Sequence, residues 1–337
     1  MRAAYVKAPY QFEIREFDTR EITEDEALVK VKACGICGAD LSTAATEAVD
    51  WQPFGHEIAG IVEKKGKHVN KVKIGQKVVL ESGTFCRTCS LCRNGRVDLC
   101  NKGPNFWLTG PMGFADYVIV PKETLVPFEG ISFKEASLVE PLGVALDLVY
   151  TADIKINNDV LVIGLGPIGL MALRLARAMG ARKIYAAELS AAKRRIALSK
   201  EFGADEVILT DKADIRDHTY LRKGLDRVLI TAPPRLIPPA LEITNVGGIV
   251  AFIGIEYGPD AEISFNANDF HFKKLGLRAS FASPALYFPT CIELIQSGVI
   301  KTKALISHTF KLDEIEEAMK RLRDDRATTV KSLMVNE

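Results

Sequence analysis

The stretch that most constrains the fold is residues 159–188, near the middle of the 337-residue chain. It begins with Val160–Ile163, a short apolar run rich in β-branched residues, which is typical of a parallel strand buried on both faces. A glycine-rich turn follows, and then a helical stretch from about Ile168 to Met179. A second strand, Lys183–Ala187, leads directly into Glu188. This order predicts a β-α-β unit.

The turn between the first strand and the helix reads Gly-Leu-Gly-Pro-Ile-Gly. A Gly-x-Gly-x-x-Gly motif alone is a weak signal, but this one lies where a dinucleotide-binding turn is needed. Gly164 allows the tight turn, Gly166 lets the backbone approach a pyrophosphate, and Gly169 lets the helix pack closely on the strand. The pyrophosphate would then bind free N–H groups at the helix N-terminus. An ordinary β-α-β unit without a dinucleotide is the alternative.

The acidic residue that ends the second strand predicts which dinucleotide binds. Glu188 follows Gly169 by 19 residues, about where a carboxylate accepts hydrogen bonds from the adenosine ribose. Because a carboxylate at this place would repel a 2′-phosphate, the sequence predicts NAD rather than NADP. The predicted cofactor contacts are Gly164, Gly166, Pro167, Ile168, Gly169, Glu188 and Lys193.

Four cysteines follow the spacing C-x2-C-x2-C-x7-C within residues 84–102. Four thiolates this close in sequence can surround one ion tetrahedrally, and such a closed site should brace a loop rather than do chemistry. Disulfides between cysteines three residues apart would form strained rings, so they are the weaker alternative. An iron–sulfur cluster and a zinc-ribbon module for nucleic acid are further alternatives. The predicted ligands of this structural metal are Cys86, Cys89, Cys92 and Cys100.

A second group of candidate metal ligands is spread along the first half of the chain. Cys37 follows a predicted strand, Ala27–Ala33, and the pair His56-Glu57 enters another apolar strand. Taken alone, a His-Glu pair is more often a hydrogen-bonded histidine beside a solvated glutamate. Glu140 stands in an apolar run, however, and a buried carboxylate needs a partner, a proton or a metal.

Strand and helix patterns divide the chain into a mostly β part and an α/β part. Strands and helices continue to alternate after Glu188, which predicts a doubly wound parallel sheet inserted into the mostly β domain. Residues 135–145 are expected to form a helix interrupted by Pro141, and the tail from residue 285 is expected to be helical. The predicted boundaries are 1–146 for the first domain, 147–281 for the nucleotide-binding domain, and 282–337 for a return to the first.

Composition excludes several functional classes. The net charge of +1 directs no field at nucleic acid or at an anionic membrane. No apolar stretch approaches the ~18 residues that span a bilayer. The first residues contain no long apolar run before a cleavage site, so a cytoplasmic location is expected.

In combination, these motifs resemble the zinc-dependent medium-chain alcohol dehydrogenases over essentially the full length of the chain. The resemblance rests on residues 35–40 and 55–57, the four-cysteine lobe, Glu140-Pro141-Leu142, and the turn before Glu188. It implies a Rossmann domain inserted into a GroES-like catalytic domain, with one structural and one catalytic zinc per chain. It also implies that Cys37 and His56 hold the catalytic zinc, with Glu57 and Glu140 as further or exchangeable ligands.

Glu140-Pro141-Leu142 is most similar to the polyol, sugar and cyclitol branch of that family. The resemblance therefore implies hydride transfer between NAD(H) and a secondary alcohol or ketone of a polyol, sugar acid or cyclitol, in a homodimer or homotetramer. Two alternatives remain: an amino-alcohol dehydrogenase of the threonine type, and a dinucleotide-binding zinc protein without turnover.

The chain departs from the family at its proton relay, where Ala39 and Ser42 replace the usual hydroxyl and histidine. The proton would then leave through water, another side chain, or a neighbouring hydroxyl of the substrate, or the enzyme would act mainly as a ketone reductase. Four aromatic residues are candidates for a substrate-pocket wall, although plain packing is the more common role of such residues. They are Trp51, Phe54, Phe106 and Trp107.

Overall fold

The computed structural model describes residues 1–218 and 224–336. The strands are β1 (Arg2–Lys7), β2 (Gln11–Glu16), β3 (Glu26–Gly35), β4 (Gln52–Pro53), β5 (Glu57–Lys65), β6 (Lys77–Leu80), β7 (Tyr117–Pro121), β8 (Leu125–Pro127), β9 (Asp159–Ile163), β10 (Lys183–Glu188), β11 (Glu206–Leu209), β12 (Leu225–Ile230), β13 (Thr244–Phe252), β14 (Gly276–Ala279), β15 (Ile306–Phe310) and β16 (Lys331–Val335). The α-helices are α1 (Gly38–Ser42), α2 (Ser90–Arg93), α3 (Phe133–Ala136), α4 (Val139–Thr151), α5 (Pro167–Ala178), α6 (Lys193–Glu201), α7 (Ile237–Glu242), α8 (Ala267–Phe272), α9 (Phe288–Gln296), α10 (Thr302–Leu305) and α11 (Ile315–Asp324).

The chain divides into two compact units. The first contains residues 1–143, 282–325 and 331–337, and the second contains residues 144–281 and 326–330. Backbone carbonyls attach the short segment 326–330 to α6. The carbonyl of Ala327 accepts a hydrogen bond from the Arg194 N–H at 3.0 Å, and that of Thr329 accepts one from the Arg195 guanidinium at 3.2 Å.

The first unit is built on a mixed sheet in the order β15-β16-β3-β5-β6-β8, with β7 also paired to β3. Only β15 and β16 pair in parallel there; the other pairings described are antiparallel. A smaller sheet, β2-β1-β4, belongs to the same unit. This architecture confirms the predicted mostly β, GroES-like domain. Its long central strand β3 pairs with three neighbours, and the site described below is arranged around the end of β3.

The second unit contains a six-stranded sheet in the order β11-β10-β9-β12-β13-β14, and every pairing in it is parallel. This is a doubly wound sheet, in which strands are added outwards first on one side of β9 and then, from β12, on the other side. Strand β9 is buried throughout apart from its first residue, as expected of a central strand covered by helices on both faces. The predicted Rossmann domain is confirmed.

Two local predictions were wrong. The tail is not wholly helical, because β15 and β16 follow α10 and α11, and β16 pairs with β3. Pro141 does not interrupt a helix. It lies in the first turn of α4, where its missing N–H would have no helical partner, and the break falls just before α4, at Ser137 and Leu138. No helix within the described residues is both long and apolar enough to cross a membrane.

Candidate metal and cofactor sites

Three predicted ligands of the first metal site come together in the structure. Donor atoms of Cys37, His56 and Glu57 all lie within 4.8 Å of one another. Strand pairing produces this arrangement, because Gly35 at the end of β3 lies opposite Glu57 at the start of β5. The chain continues from Gly35 to Cys37, and His56 directly precedes Glu57, so the register alone brings the thiol and the imidazole to the same end of the sheet.

Glu57 is fully buried, and Lys331 is its partner. The Lys331 ammonium, 2% exposed, donates hydrogen bonds to Glu57 Oε1 and, at 2.8 Å, to the carbonyl of Ile36. The other oxygen, Glu57 Oε2, has no hydrogen-bond partner within the described residues. Burial lowers the pKa of Lys331, but the negative charges of Glu57, Cys37 and Glu140 together outweigh this effect and raise the pKa above its usual range. One carboxylate oxygen is therefore held by an ammonium, and the other is free to accept a cation.

The space that this carboxylate occupies exists because residue 35 is glycine. A Cβ on Gly35 would lie 2.0 Å from Glu57 Oε2, far inside van der Waals contact. Any other residue at this position would displace the carboxylate or separate the strands. Gly35 therefore has a steric role at the site.

Asp40 connects the two other ligands. Its Oδ2 accepts a hydrogen bond from the backbone N–H of Cys37 at 2.8 Å, and its Oδ1 lies 3.9 Å from Nδ1 of His56. The side chain is almost completely buried, and burial raises its pKa. Carboxylates that face a metal-binding histidine commonly orient the ring. Asp40 thus holds the start of α1 by a hydrogen bond and acts on the imidazole through its charge.

Glu140 lies in the first turn of α4, and its negative charge acts on His56 and Glu57. Burial raises the pKa of Glu140 to about 7. Its carboxylate is not among the donor atoms that lie within 4.8 Å of one another. Glu140 is therefore close enough to act on the group by its charge, but unlike Glu57 it is not one of the clustered donors.

The donor group fits a divalent cation. Burial acts to lower the pKa of His56, but the negative charges around it, that of Cys37 first, raise the pKa well above its usual range. A field that favours a positive imidazole equally favours a metal ion. A thiolate, an imidazole and one oxygen of a carboxylate are the donors that zinc takes in catalytic sites, where three protein ligands leave one position open.

The second donor group consists of Cys86, Cys89, Cys92 and Cys100, whose sulfurs also lie within 4.8 Å of one another. The Cys86–Cys92 and Cys89–Cys100 sulfurs are 3.9 and 4.0 Å apart, and none of the four forms a disulfide. A tetrahedron with Zn–S arms of ~2.3 Å has edges of about 3.8 Å. Backbone N–H groups of Cys86, Cys89 and Cys92 point at these sulfurs, which favours thiolates. The lobe therefore fits a closed zinc site.

The glycine-rich turn in the second unit has the geometry that a dinucleotide requires. Gly164 has φ of +91°, a backbone conformation open to glycine at little cost. A Cβ on Gly169 would lie 1.9 Å from the carbonyl oxygen of Gly164, so only glycine lets α5 approach β9 this closely. Around Gly166 there is open space. Because α5 begins at Pro167, its first N–H groups are available to a pyrophosphate.

Glu188 is held at the end of β10 by two backbone N–H groups. Its Oε2 accepts a hydrogen bond from Leu165, inside the glycine-rich turn, and its Oε1 accepts one from Leu189. The Arg195 guanidinium lies 4.0 Å from Oε2. The carboxylate thereby braces the turn to which the pyrophosphate is predicted to bind. Lys193, the other predicted contact, is the exposed first residue of α6.

The four candidate wall aromatics have different environments. Phe54 and Phe106 are buried in the core of the first unit, and Trp51 lies under the Arg15 guanidinium. Only Trp107 among them has a ring contact with a predicted metal ligand, with its ring centroid 5.1 Å from that of His56.

Sequence reasoning missed Lys331 and the roles of Asp40 and Gly35. Lys331 lies in the tail that was predicted to be helical, and nothing in the sequence indicates that a lysine there is buried. Asp40 was visible only as part of the family motif, although an acid three residues after a candidate ligand cysteine could have been read as an N-terminal helix cap.

Comparisons with known proteins identify the family to which this architecture belongs. The family model of the alcohol dehydrogenase GroES-like domain matches residues 23–130, and that of zinc-binding dehydrogenase matches residues 167–297. A sorbitol dehydrogenase of Bacillus subtilis (strain 168) is 30% identical over 335 residues, which covers 95% of this chain and 93% of the relative. An L-threonine 3-dehydrogenase of Chromobacterium violaceum is 29% identical over 330 residues, covering 93% of this chain and 94% of the relative.

A solved structure of an Escherichia coli CFT073 short chain alcohol dehydrogenase (rspB), in complex with NADH, has a TM-score of 0.91 to this chain. Its sequence is 23% identical, and the match covers 100% of this chain and 99% of that one, so it shows the shared fold. The fold and the matched domains define a zinc- and nicotinamide-dependent oxidoreductase. More particularly, the chain belongs to the zinc-dependent medium-chain alcohol dehydrogenase family, in its polyol-dehydrogenase-like branch.

The two donor groups predict two zinc ions per chain in zinc-supplemented protein. Cys37→Ala and Cys89→Ala should each reduce the content towards one, measured by plasma mass spectrometry. Only Cys89→Ala should also lower Tm strongly, because the lobe depends on its metal for structure. Cys291→Ala, at a buried free thiol outside both groups, is the matched control and should keep both ions. One zinc in the unaltered chain, or two in Cys37→Ala, would contradict this assignment.

The Glu57–Lys331 pair predicts a characteristic pattern of stability. In chelator-treated protein, Lys331→Met should lower the free energy of unfolding by about 3–5 kcal/mol, because it leaves a buried carboxylate without its ammonium. Adding Glu57→Gln should recover part of that loss, since the uncompensated charge disappears. Urea denaturation measures both effects. Lys303→Met, at an exposed lysine, should change stability by less than about 1 kcal/mol. A double variant as unstable as Lys331→Met would refute the interpretation.

Proposed function

We propose that the chain is an NAD- and zinc-dependent dehydrogenase that transfers hydride between NAD(H) and a secondary alcohol or ketone of a polyol, sugar acid or cyclitol. The observation that carries this proposal is the Cys37–His56–Glu57 group, in which His56 and Glu57 are buried and one carboxylate oxygen of Glu57 has no hydrogen-bond partner among the described residues. A relative that is a sorbitol dehydrogenase supports the substrate class.

In this proposal Cys37, His56 and Glu57 hold the catalytic zinc, with Glu140 available nearby. When bound, zinc supplies a Lewis acid that polarises the hydroxyl or carbonyl of the substrate. Asp40 keeps the thiol-bearing turn in place and presents a negative charge to the imidazole, and Lys331 fixes the orientation of the Glu57 carboxylate. The four-cysteine lobe would hold the second zinc and has only a structural role, since four thiolates leave no open position.

The missing proton relay also favours polyhydroxylated substrates. Ala39 has no side chain that can transfer a proton, and the Ser42 hydroxyl has no hydrogen bond with any residue that the structure describes. A neighbouring hydroxyl on the substrate could relay the proton instead, accepting it while donating its own proton to solvent water. Polyols and cyclitols carry such a hydroxyl on the adjacent carbon, whereas simple alcohols do not.

An amino-alcohol dehydrogenase is the second candidate, because the threonine dehydrogenase relative is almost equally similar. The substrate of such an enzyme, an amino alcohol, also carries a polar group on the carbon next to the one that bears the reacting hydroxyl. A dinucleotide-binding zinc protein without turnover is the third, favoured by the absent relay and opposed by the assembled donor group. NADH fluorescence with a panel of polyols, sugar acids, cyclitols and L-threonine, run in both directions, separates the three. Turnover of L-threonine alone, or of nothing, would overturn the leading proposal.

We also propose a homodimer or homotetramer in the cytoplasm. Strand β14 is the edge of the parallel sheet, and Phe272 and Phe281 nearby are about three-quarters exposed. An unpaired strand edge with exposed aromatic groups is suited to association with a second copy. Light scattering that shows a monomer would contradict the proposed oligomer.

The cytoplasmic location is supported by the clustered free cysteines, because metal-binding thiolates stay reduced in a reducing compartment.

Both carboxylates near the zinc should matter, but differently. Glu57→Gln should lower zinc content, since Glu57 belongs to the donor group. Glu140→Gln should lower turnover more than zinc content, because Glu140 lies outside that group and would act only by exchange. Zinc analysis and steady-state kinetics on the same preparations measure the two effects. Full zinc content and full turnover in both variants would end the exchange hypothesis.

Cofactor preference should depend on Glu188. In Glu188→Gln the ratio of kcat/KM for NAD to that for NADP should fall by about 10-fold or more, because the charge that repels a 2′-phosphate is lost. Glu201→Gln, at an exposed glutamate at the end of α6, is the matched control and should leave the ratio unchanged. A higher kcat/KM with NADP in the unaltered enzyme would show that Glu188 does not contact the ribose.

A further inference from the structure

The loop that follows the four-cysteine lobe places an indole against the proposed catalytic group. The ring centroids of Trp107 and His56 are 5.1 Å apart, and the planes are tilted by 43°. The other tryptophan of the chain, Trp51, has no hydrogen bond or ring contact with Cys37, His56 or Glu57 among the described residues. Trp107 is thus distinguished by position from the other tryptophan.

The loop is fixed by residues other than the indole itself. Phe106 is completely buried, and its ring stacks on that of Trp107 at 6.5 Å between centroids. Asn105 forms a bridge with Gly83 and accepts a hydrogen bond from the Trp107 backbone N–H at 3.1 Å. Thr109 donates to the Phe106 carbonyl at 3.1 Å. The side chain of Trp107 is therefore presented from a rigid support, so little conformational entropy is lost when a ligand covers it.

The indole itself is not committed to the protein interior. Trp107 is 43% exposed, and its Nε1–H makes no hydrogen bond to any residue that the structure describes. A tryptophan usually finds a partner for this N–H when it packs in a core. Here an apolar face and a free donor are both available beside a predicted metal ligand, which is the combination found in small-molecule sites.

The chemistry of such a surface suits a polyhydroxylated chain. The face of an aromatic ring carries negative charge density and attracts groups with partial positive charge. In a polyol every carbon bears an oxygen, so its C–H bonds are polarised in that sense, and its hydroxyls can accept a hydrogen bond from the indole N–H. A short diol such as 2,3-butanediol has only two carbons that bear oxygen, and no hydroxyl beyond the reacting carbon and its neighbour.

We propose that Trp107 is a specificity-determining residue, whose ring stacks on the C–H groups of a polyol and whose Nε1–H donates to one of its hydroxyls. This rests on the proposed function, because it assigns a substrate contact to the same site. The contact binds the part of the substrate that does not react, so it acts on KM and on the choice between substrates.

The test uses zinc-loaded enzyme with NAD and whichever of sorbitol, xylitol and myo-inositol has the highest kcat/KM, compared with 2,3-butanediol. Trp107→Ala should raise KM for that polyol by about 10- to 100-fold and change kcat much less. The ratio of kcat/KM for the polyol to that for 2,3-butanediol should fall by a similar factor. Trp107→Phe, which keeps a ring face and loses the N–H, should lie between. Zinc content should not change in either variant, which excludes an indirect effect through His56.

Fluorescence gives a second measurement that does not depend on turnover. In Trp51→Phe the indole of Trp107 is the sole tryptophan, since the chain contains two. The polyol should change its emission, with half-saturation near KM. Unchanged emission at saturating polyol, or an unchanged specificity ratio in Trp107→Ala, would overturn the inference while the proposed function stands. A zinc-loaded enzyme that oxidises none of the three polyols would overturn the inference, and one that acts on no polyol, sugar acid or cyclitol of the panel would also overturn the proposed function.

Discussion

The buried ion pair between Glu57 and Lys331 connects the sheet of the first unit to its chemistry. Strand β3 lies between β5 and β16, and Gly35 is paired with both Glu57 and Leu333. Because Gly35 has no side chain, the carboxylate of Glu57 can occupy the space above β3 and meet the ammonium of Lys331. Isolated buried charges are costly, so this arrangement persists only while each charge has a partner. In the proposed function, the free oxygen of Glu57 would coordinate the metal ion.

Carboxylates at the ends of strands or at helix starts organise both units in a similar way. In the first unit Asp40 accepts a hydrogen bond from the N–H of Cys37 and faces His56. In the second, Glu188 accepts hydrogen bonds from the N–H groups of Leu165 and Leu189 and so stabilises the glycine-rich turn. Each carboxylate has a structural task and lies at a site where a ligand is expected. Substitution of any of them would therefore disturb local backbone order together with binding.

Local motifs were predictable because their function depends on sequence spacing. The C-x2-C-x2-C-x7-C lobe and the Gly-x-Gly-x-x-Gly turn each lie within one loop or one strand–helix connection, so residue type and spacing nearly determine the geometry. Their bound ligands remain predictions. Lys331 could not be found in this way, since it is 274 residues from Glu57 in sequence and lies on a strand in a segment that was predicted to be helical. The sequence could not distinguish Trp107 from the three other candidate aromatic residues, because only the tertiary structure shows its ring contact with His56.

The sequence by itself determined the class of fold, the inserted β-α-β domain and the four-cysteine donor group, because periodicity and short motifs are local properties of the chain. Only the tertiary structure decided that Glu57 belongs to the compact donor group while Glu140 lies outside it, that Lys331 holds one oxygen of Glu57, and that Gly35 makes the space for this contact. These facts depend on strand register and on distances between residues far apart in sequence, which composition and spacing do not encode.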